Sequence, residues 1–219
     1  MPLISRIINS TLGLHPQKSS GIDDHIIVVD CGFVNIYIYR RDGHTVAFDA
    51  GYSAQSTSRA LQALAIDPAE VDRVFLSHTD FDHAGGLAAF SRARIYYAQT
   101  ELRKSARQSK YFRRAQKKQA CQALRDGEIE EIGPIRIKAL HTPGHTSGSI
   151  AYLVDGTYLF SGDTIALSRG KAGINRLFSF NFKNLCLSAN ELSKLKGIET
   201  ILTPHWGYAN FSEAFSKWD

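Results

Sequence analysis

The sequence lacks the features of several common protein classes. It has only three cysteines, Cys31, Cys121 and Cys186, and none forms a C-x-x-C pair. An odd number of widely spaced cysteines argues against a secreted disulfide framework and favours a reducing compartment. No apolar run approaches the roughly 18 residues needed to span a bilayer, and the first residues do not follow the pattern of a secretory signal. We therefore expect a soluble cytoplasmic protein with no membrane association.

No linker or low-complexity segment divides the chain either. Its 219 residues, 43% of them hydrophobic, are enough to bury a sizeable core without disulfides. We expect one domain over residues 1–219.

Positive charge is concentrated in one segment. Residues 102–119, here called the basic segment, hold eight Lys or Arg and no acid, in a chain whose net charge is +5. Such a cluster can neutralise the phosphates of a nucleic acid, form the solvated face of a helix, or attract an anionic small molecule. We expect no nucleic-acid binding and a small-molecule partner.

Hydrophobic periodicity predicts a mixture of strands and helices. "HIIVVDCGFVNIYIYRRDGHTVAFDAGY" indicates antiparallel strands with a turn at Asp42-Gly43. "SAQSTSRALQALAI" has helical spacing, with Ala60, Leu61, Leu64 and Ala65 on one side. A second helix is predicted in "NLCLSANELSKLKG", capped at Asn184 and closed by Gly197. Further strands are predicted in "RVFLS", "RIYYAQ", "EIEEI", "IRIKAL", "SIAYLV", "TYLFSGD" and "ETILTPHWGY".

Two parts of the chain have a similar pattern. "VNIYIYRRDGHTVAFDAG" and "GSIAYLVDGTYLFSGD" each contain a strand, an Asp-Gly turn and a second strand, then a phenylalanine and an aspartate. The match indicates either a duplicated unit or two unrelated ordinary hairpins. A duplication would give two similar sheets, which can pack face to face with helices outside.

Candidate metal ligands follow the ends of predicted strands. "SHTDFDHAGG" is the densest group, and the others lie in "HTPGHTSGS", "FSGDT" and "TPHWGY". The seven candidates are His78, Asp80, Asp82, His83, His145, Asp163 and His205. A turn after the strand could give His78 and Asp80 to one ion, and Asp82 and His83 to another. Imidazole and carboxylate ligands suit zinc, iron or manganese.

These motifs, "HTDFDH", "TPGHTSGS", "SGDT" and "PHWGY" in this order, resemble the metallo-β-lactamase superfamily, including its glyoxalase II-like branch. The resemblance covers the chain from the first hairpin to His205. It implies an α/β fold, an αββα sandwich of two mixed sheets with outer helices and a metal site at one edge. It also implies two divalent ions: His78, Asp80 and His145 would hold the first, Asp82, His83 and His205 the second, with Asp163 bridging them and Asp49 supporting the site.

Asp80 departs from the family pattern, which has histidine at this position in most members. A carboxylate there shifts metal preference toward iron or manganese without excluding zinc. The flavo-diiron branch also has a carboxylate at this position. Alternatively, Asp80 does not bind the metal itself and instead contacts the side chains that do.

The resemblance implies a dinuclear hydrolase in which a hydroxide held between two ions attacks an ester, thioester or lactone carbonyl. Asp82 or the second ion would stabilise the leaving group, and Tyr208 would donate a hydrogen bond to the oxyanion, unless it serves packing alone. Residues 103–118 would form a positively charged wall that attracts an anionic substrate. Two alternatives remain: a di-iron redox protein related to flavo-diiron oxygen or nitric oxide reductases, and a non-catalytic binding module.

Overall fold

Two mixed β-sheets form the centre of the computed structural model, which describes residues 9–103 and 109–218. The first sheet has seven strands, in the order β1 to β7. These are β1 Ser20–Gly21, β2 Ile26–Asp30, β3 Asn35–Arg41, β4 His44–Phe48, β5 Arg73–Phe75, β6 Arg94–Ala98 and β7 Cys121–Leu124. Strands β1 to β4 pair antiparallel, and β4 to β7 pair parallel.

The second sheet has six strands in the order β15-β14-β11-β10-β9-β8. These are β8 Ile129–Ile132, β9 Ile135–His141, β10 Ile150–Val154, β11 Tyr158–Phe160, β14 Thr200–Thr203 and β15 Gly207–Asn210. Its pairs are antiparallel except β11 with β14. A small separate ribbon joins β12 Ala166–Ser168 to β13 Lys171–Gly173.

The helices are short. Those that do not border residues outside the description are α1 Ala54–Gln62, α2 Phe81–Ala84, α3 Lys110–Gln116, α4 Phe182–Ser193 and α5 Phe211–Ala214. Single 3₁₀ turns cover Pro68–Glu70, Leu87–Ala89, Gln99–Arg103, Gly162–Thr164 and Arg176–Phe178. Among the described residues, none of the helices is long and apolar enough to cross a membrane.

The inner faces of the two sheets pack on each other. Phe48 of the first sheet stacks on Phe160 of the second, with ring centroids 3.7 Å apart. Tyr37 donates a hydrogen bond to the Thr203 carbonyl, and Tyr152 donates one to the Leu76 carbonyl, so both tyrosine hydroxyls connect the sheets. The buried hydroxyls are thus satisfied inside the apolar layer.

Helices cover both outer faces. Leu61 of α1 and Phe112 of α3 belong to the core outside the first sheet. Leu192 of α4 and Phe211 of α5 belong to the core outside the second sheet. The predicted sandwich of two mixed sheets with outer helices is therefore confirmed.

Both predicted hairpins are present, and their turns are alike. Asp42 and Gly43 join β3 to β4 with φ of +46° and +80°, and Asp155 and Gly156 join β10 to β11 with φ of +51° and +73°. Two successive left-handed residues are what a tight hairpin turn requires. In each sheet the second hairpin strand then pairs parallel with the next strand of that sheet.

Three predicted helix boundaries were wrong, one of them the closing Gly197, because α4 already ends at Ser193. Helix α1 ends at Gln62, and Ala65 has a φ of +54°, so Leu64 and Ala65 lie beyond the helix. Helix α4 begins before Asn184, because Asn181 is its cap and accepts a hydrogen bond from the Asn184 backbone. The phenylalanine and lysine of the first turn carried no clear helical signal in the sequence.

Candidate metal centre

Loops at one edge of the sandwich bring the seven candidate side chains together. His78 and Asp80 lie between β5 and α2, while Asp82 and His83 lie in α2 itself. His145, Asp163 and His205 follow β9, β11 and β14 respectively. Because side chains beyond the strands can turn toward one another there, residues far apart in the chain meet at this edge.

One group of potential metal ligands consists of His78, His145 and Asp163. The Nε2 atoms of His78 and His145 are 3.1 Å apart, and Asp163 Oδ2 is 3.4 Å from His145 Nε2. Asp80 Oδ2 approaches the same two imidazoles, at 3.5 Å from His78 Nε2 and 3.6 Å from His145 Nε2. Asp80 is thus placed to act with this group.

The second group consists of Asp82, His83 and His205. Asp82 Oδ2 is 3.7 Å from His83 Nε2 and 3.4 Å from His205 Nε2. Asp163 Oδ2 is 3.6 Å from each of the same two nitrogens. Asp163 therefore lies between the groups. This division matches the one predicted from the sequence, while the ligand roles themselves stay a prediction.

Hydrogen bonds fix which nitrogen each buried histidine presents. His205 Nδ1 is 2.8 Å from the Phe33 carbonyl, which can only accept, so Nδ1 carries the proton and Nε2 faces the cluster. His83 Nδ1 donates in the same way to Asp49 Oδ2 at 2.8 Å. Asp49 also accepts from the Ser77 backbone and hydroxyl, and Ser77 Oγ lies 3.0 Å from His78 Nδ1. The bonds orient the imidazoles as metal ligands require.

The donor set fits bound metal ions. In a tetrahedral site with bonds of about 2.1 Å, neighbouring ligand atoms are about 3.4 Å apart, close to the separations above. His83 Nε2 and Asp163 Oδ1 are buried and have no hydrogen-bond partner. Native proteins rarely leave buried polar atoms without a partner, so a bound metal ion would explain why these two atoms have no hydrogen bond.

The pKa values of the clustered side chains favour a site at which histidines lose protons when a cation binds. Burial favours neutral His205, but Asp163 and Asp82 outweigh it and raise its pKa to about 10. Burial favours protonated Asp82, but His83 and His205 lower its pKa to about 2. The pKa of Asp163 is likewise well below its usual range, because three histidines outweigh its burial. Metal binding here would release protons from the imidazoles.

Glu101 connects two of the ligand loops, a role that the sequence did not reveal. It is fully buried. One carboxylate oxygen accepts hydrogen bonds from the backbone and hydroxyl of Thr79, at 2.8 and 2.6 Å, and the other accepts one from the Thr146 hydroxyl at 2.6 Å. Thr79 lies between His78 and Asp80, and Thr146 follows His145. An isolated glutamate beside a basic segment gave no sequence signal of this contact.

A cleft of about 610 Å³ opens over the cluster. Its lining consists of Leu12, Leu14, Phe33, Asp80, Phe81, Asp82, His145, Asp163, Phe178 and His205. Tyr208 is not one of the described residues that line this cleft. Tyr208 lies in β15 opposite Leu202 and is partly exposed, so this placement does not support the predicted hydrogen bond to an oxyanion.

The described part of the basic segment does not form a wall of this cleft. Arg114 and Lys118 instead line a separate groove with Ala84 and Leu87. Helix α3 packs against α2 and the turn at Leu87–Ala89. Residues 104–108, also included in the predicted wall, lie outside the described residues.

Solved structures with this fold include a metallo-beta-lactamase and a flavo di-iron protein. A B3 metallo-beta-lactamase with an active-site glutamic acid aligns over 96% of this chain and 89% of its own, with a TM-score of 0.68 and 17% identity. A flavo di-iron protein of Thermotoga maritima aligns over 90% of this chain and 59% of its own, with a TM-score of 0.69 and 19% identity. At these identities the likeness shows the fold alone.

Relatives with closer sequences are hydroxyacylglutathione hydrolases. The one of Serratia proteamaculans is 30% identical over 180 residues, which are 79% of this chain and 62% of that protein. The one of Aeromonas hydrophila is 28% identical over 174 residues, 78% of this chain and 60% of that protein. This chain thus spans about three fifths of their length. The family model of the metallo-beta-lactamase superfamily matches residues 29–205, and the chain therefore belongs to that superfamily.

Proposed function

We propose that the chain is a dinuclear metal-dependent hydrolase of ester, thioester or lactone bonds. The observation that carries the proposal is the position of Asp163, whose Oδ2 lies 3.4 Å from His145 Nε2 and 3.6 Å from both His83 and His205. One carboxylate can therefore serve two ligand groups in the lining of an open cleft. Carboxylates are suited to bridge two ions in this way.

His78, His145 and Asp163, with Asp80, would hold one ion, and Asp82, His83 and His205, with Asp163, the other. Bound ions would polarise the substrate carbonyl and lower the pKa of water. Asp82, whose pKa is about 2, is ionised at neutral pH. Its carboxylate can accept a hydrogen bond from the attacking water and orient it, while the proton that the water loses ends on the departing oxygen or sulfur.

The curated relatives favour a thioester. Their name, hydroxyacylglutathione hydrolase, describes cleavage of an acyl group from glutathione sulfur. This chain shares about three fifths of their length, so glutathione itself is only one leaving group to test. A neutral thiol should serve equally well if the acyl side determines binding.

A second candidate, a di-iron redox protein, is favoured by Asp80. Its carboxylate lies within 3.6 Å of two imidazole nitrogens of the first group, and harder oxygen donors suit iron. Two bound iron atoms, oxygen consumption with a reductant and no hydrolysis would support this function instead.

The test combines metal analysis with a hydrolysis panel. Protein purified without added metal is expected to carry close to two ions per chain and to cleave thioesters. Asp163→Asn should lower metal content and reduce kcat/KM at least about 100-fold, because it removes a ligand from both groups. Asp42→Asn, a carboxylate change in an exposed turn that tolerates asparagine, is the matched control. Normal metal content and activity in Asp163→Asn would refute the assignment.

A further inference from the structure

The cleft above the ligand cluster has two chemically distinct parts. Potential metal ligands form one part of its lining, and apolar side chains form the other. The apolar lining consists of Leu12, Leu14, Phe33, Phe81 and Phe178. Among the described residues that line the cleft, there is no lysine or arginine. A volume of about 610 Å³ is within the range of small-molecule sites.

Backbone hydrogen bonds attach the apolar lining to the ligand loops. His15 donates to the His205 carbonyl at 2.8 Å, and the Trp206 indole donates to the Gly13 carbonyl at 3.0 Å, which fixes the segment carrying Leu12 and Leu14. In a second lining segment, the Phe180 backbone donates to the His145 carbonyl at 3.2 Å. This bond anchors the loop that carries Phe178. The apolar groups are therefore held beside the reacting centre.

Three of the five apolar side chains are more exposed than core residues, whereas Leu14 and Phe33 belong to the core. Leu12 is 40% exposed, Phe81 53% and Phe178 36%. Burying such groups in the folded chain would have been favourable, so their position at a cleft indicates a ligand that covers them. The occupant must reach the metal-ligand cluster, because the apolar side chains and the ligands line the same cavity.

We infer that the substrate is an acyl thioester or ester whose acyl group is an apolar chain of about six carbons or more. The inference rests on the proposed hydrolase function and names its substrate class. The acyl chain of the substrate lies along Leu12 and Phe178, and the substrate carbonyl lies near Asp163 and His145. A charged acyl group is disfavoured, since the apolar lining would strip it of water without offering a partner.

A series of acyl thioesters of N-acetylcysteamine, a small neutral thiol, tests the inference. Each fully buried methylene improves binding by a factor of about four. From acetyl through hexanoyl to decanoyl, kcat/KM is therefore expected to rise at least about 100-fold. Hydrolysis of all three at equal kcat/KM would overturn the inference and leave the hydrolase function intact.

Two variants test whether the apolar lining of the cleft causes the preference for long acyl groups. Leu12→Ala and Phe178→Ala should each lower kcat/KM for the decanoyl thioester about tenfold more than kcat/KM for the acetyl thioester, and taking the ratio of the two controls for folding and metal content. Leu187→Ala is the matched control, because Leu187 is an exposed leucine of α4 outside the cleft. An unchanged decanoyl rate in both cleft variants would overturn the inference.

Binding to metal-depleted protein separates this inference from the proposed function. By calorimetry, 2-decanone, which cannot be hydrolysed, should bind at least about 100-fold more tightly than 2-butanone, and Phe178→Ala should remove most of that difference. Ketone binding without hydrolysis of any thioester would refute the hydrolase and retain the apolar-chain site. Hydrolysis without ketone discrimination would refute the apolar-chain site alone.

Discussion

Asp80 is the residue at which this chain departs from the histidine-rich motif that it resembles. Its Oδ2 lies 3.5 Å from His78 Nε2, and the side chain borders the cleft, so it can reach an ion held by the first group. A carboxylate adds negative charge and a harder donor than imidazole. Asp80 would therefore bias which metal the protein takes from a mixed supply.

Asp80→His is predicted to raise the ratio of zinc to iron plus manganese in protein purified from cells. The reason is that histidine replaces a hard oxygen with a nitrogen ligand that zinc accepts well. Elemental analysis by mass spectrometry measures the ratio. Asp24→His, the same change at an exposed position outside the cleft, controls for adventitious zinc on the added histidine. An unchanged ratio would make Asp80 an outer partner and not a ligand.

The candidate ligands could be predicted from the sequence because they lie in short contiguous motifs after strands. Their supporting contacts could not. The Phe33 carbonyl that orients His205 is 172 residues away in the chain, and any residue type could have supplied a backbone carbonyl. Ser77 and Glu101 are ordinary residues whose role depends on which loops meet.

Glu101 belongs to the 3₁₀ turn after β6 and connects the loop of His78 with that of His145. Glu101→Gln keeps the shape but puts an amide NH₂ where one carboxylate oxygen accepted a hydrogen bond. Two donors would then face each other in a buried site. We predict a loss of metal affinity of about 10- to 100-fold, as for other outer partners of ligands.

The affinity change in Glu101→Gln can be measured by competition with a chromophoric chelator. Glu131→Gln, in an exposed part of β8, is the control. If Glu101 had only a structural role, unfolding of the metal-depleted protein would shift while metal affinity stayed constant, which would contradict the prediction.

The two hairpins were predictable because Asp-Gly supplies the left-handed backbone that their turns need. Strands β1, β12 and β13 were not predictable. They have only two or three residues and, unlike the equally short β5 and β11, they contain no β-branched or aromatic residue. Helix α4 was recognised, but its start was misplaced because Asn181 and Asn184 are equally good caps by residue type.

Gly43→Ala is predicted to lower the free energy of unfolding by about 1 kcal/mol, the cost of a left-handed conformation for alanine. Gly43 has a φ of +80°, and an added Cβ would meet no atom within 4 Å, so strain is the only cost. Gly173→Ala, which is equally open but not left-handed, is the control and should not destabilise. Chemical denaturation measures both, and equal losses would contradict the explanation.

The metal centre involves both sheets of the molecule. His78 follows β5 of the first sheet, whereas His145 and His205 follow β9 and β14 of the second. Without ions, this edge holds a buried cluster of carboxylates and imidazoles whose charges have been taken out of water. Bound ions would therefore join the two sheets and compensate the buried carboxylates.

Metal removal is predicted to lower the melting temperature of the whole molecule. An ion that binds only the folded state stabilises it by about 4 kcal/mol when its free concentration is a thousand times Kd. For a chain of this size that corresponds to about 10 °C. Differential scanning calorimetry before and after treatment with EDTA measures the shift, and added zinc should reverse it. Asp163→Asn lacks the shared ligand and should respond much less to EDTA. An equal response in both proteins would place the stabilising ion elsewhere, and no response in either would contradict a metal that joins the sheets.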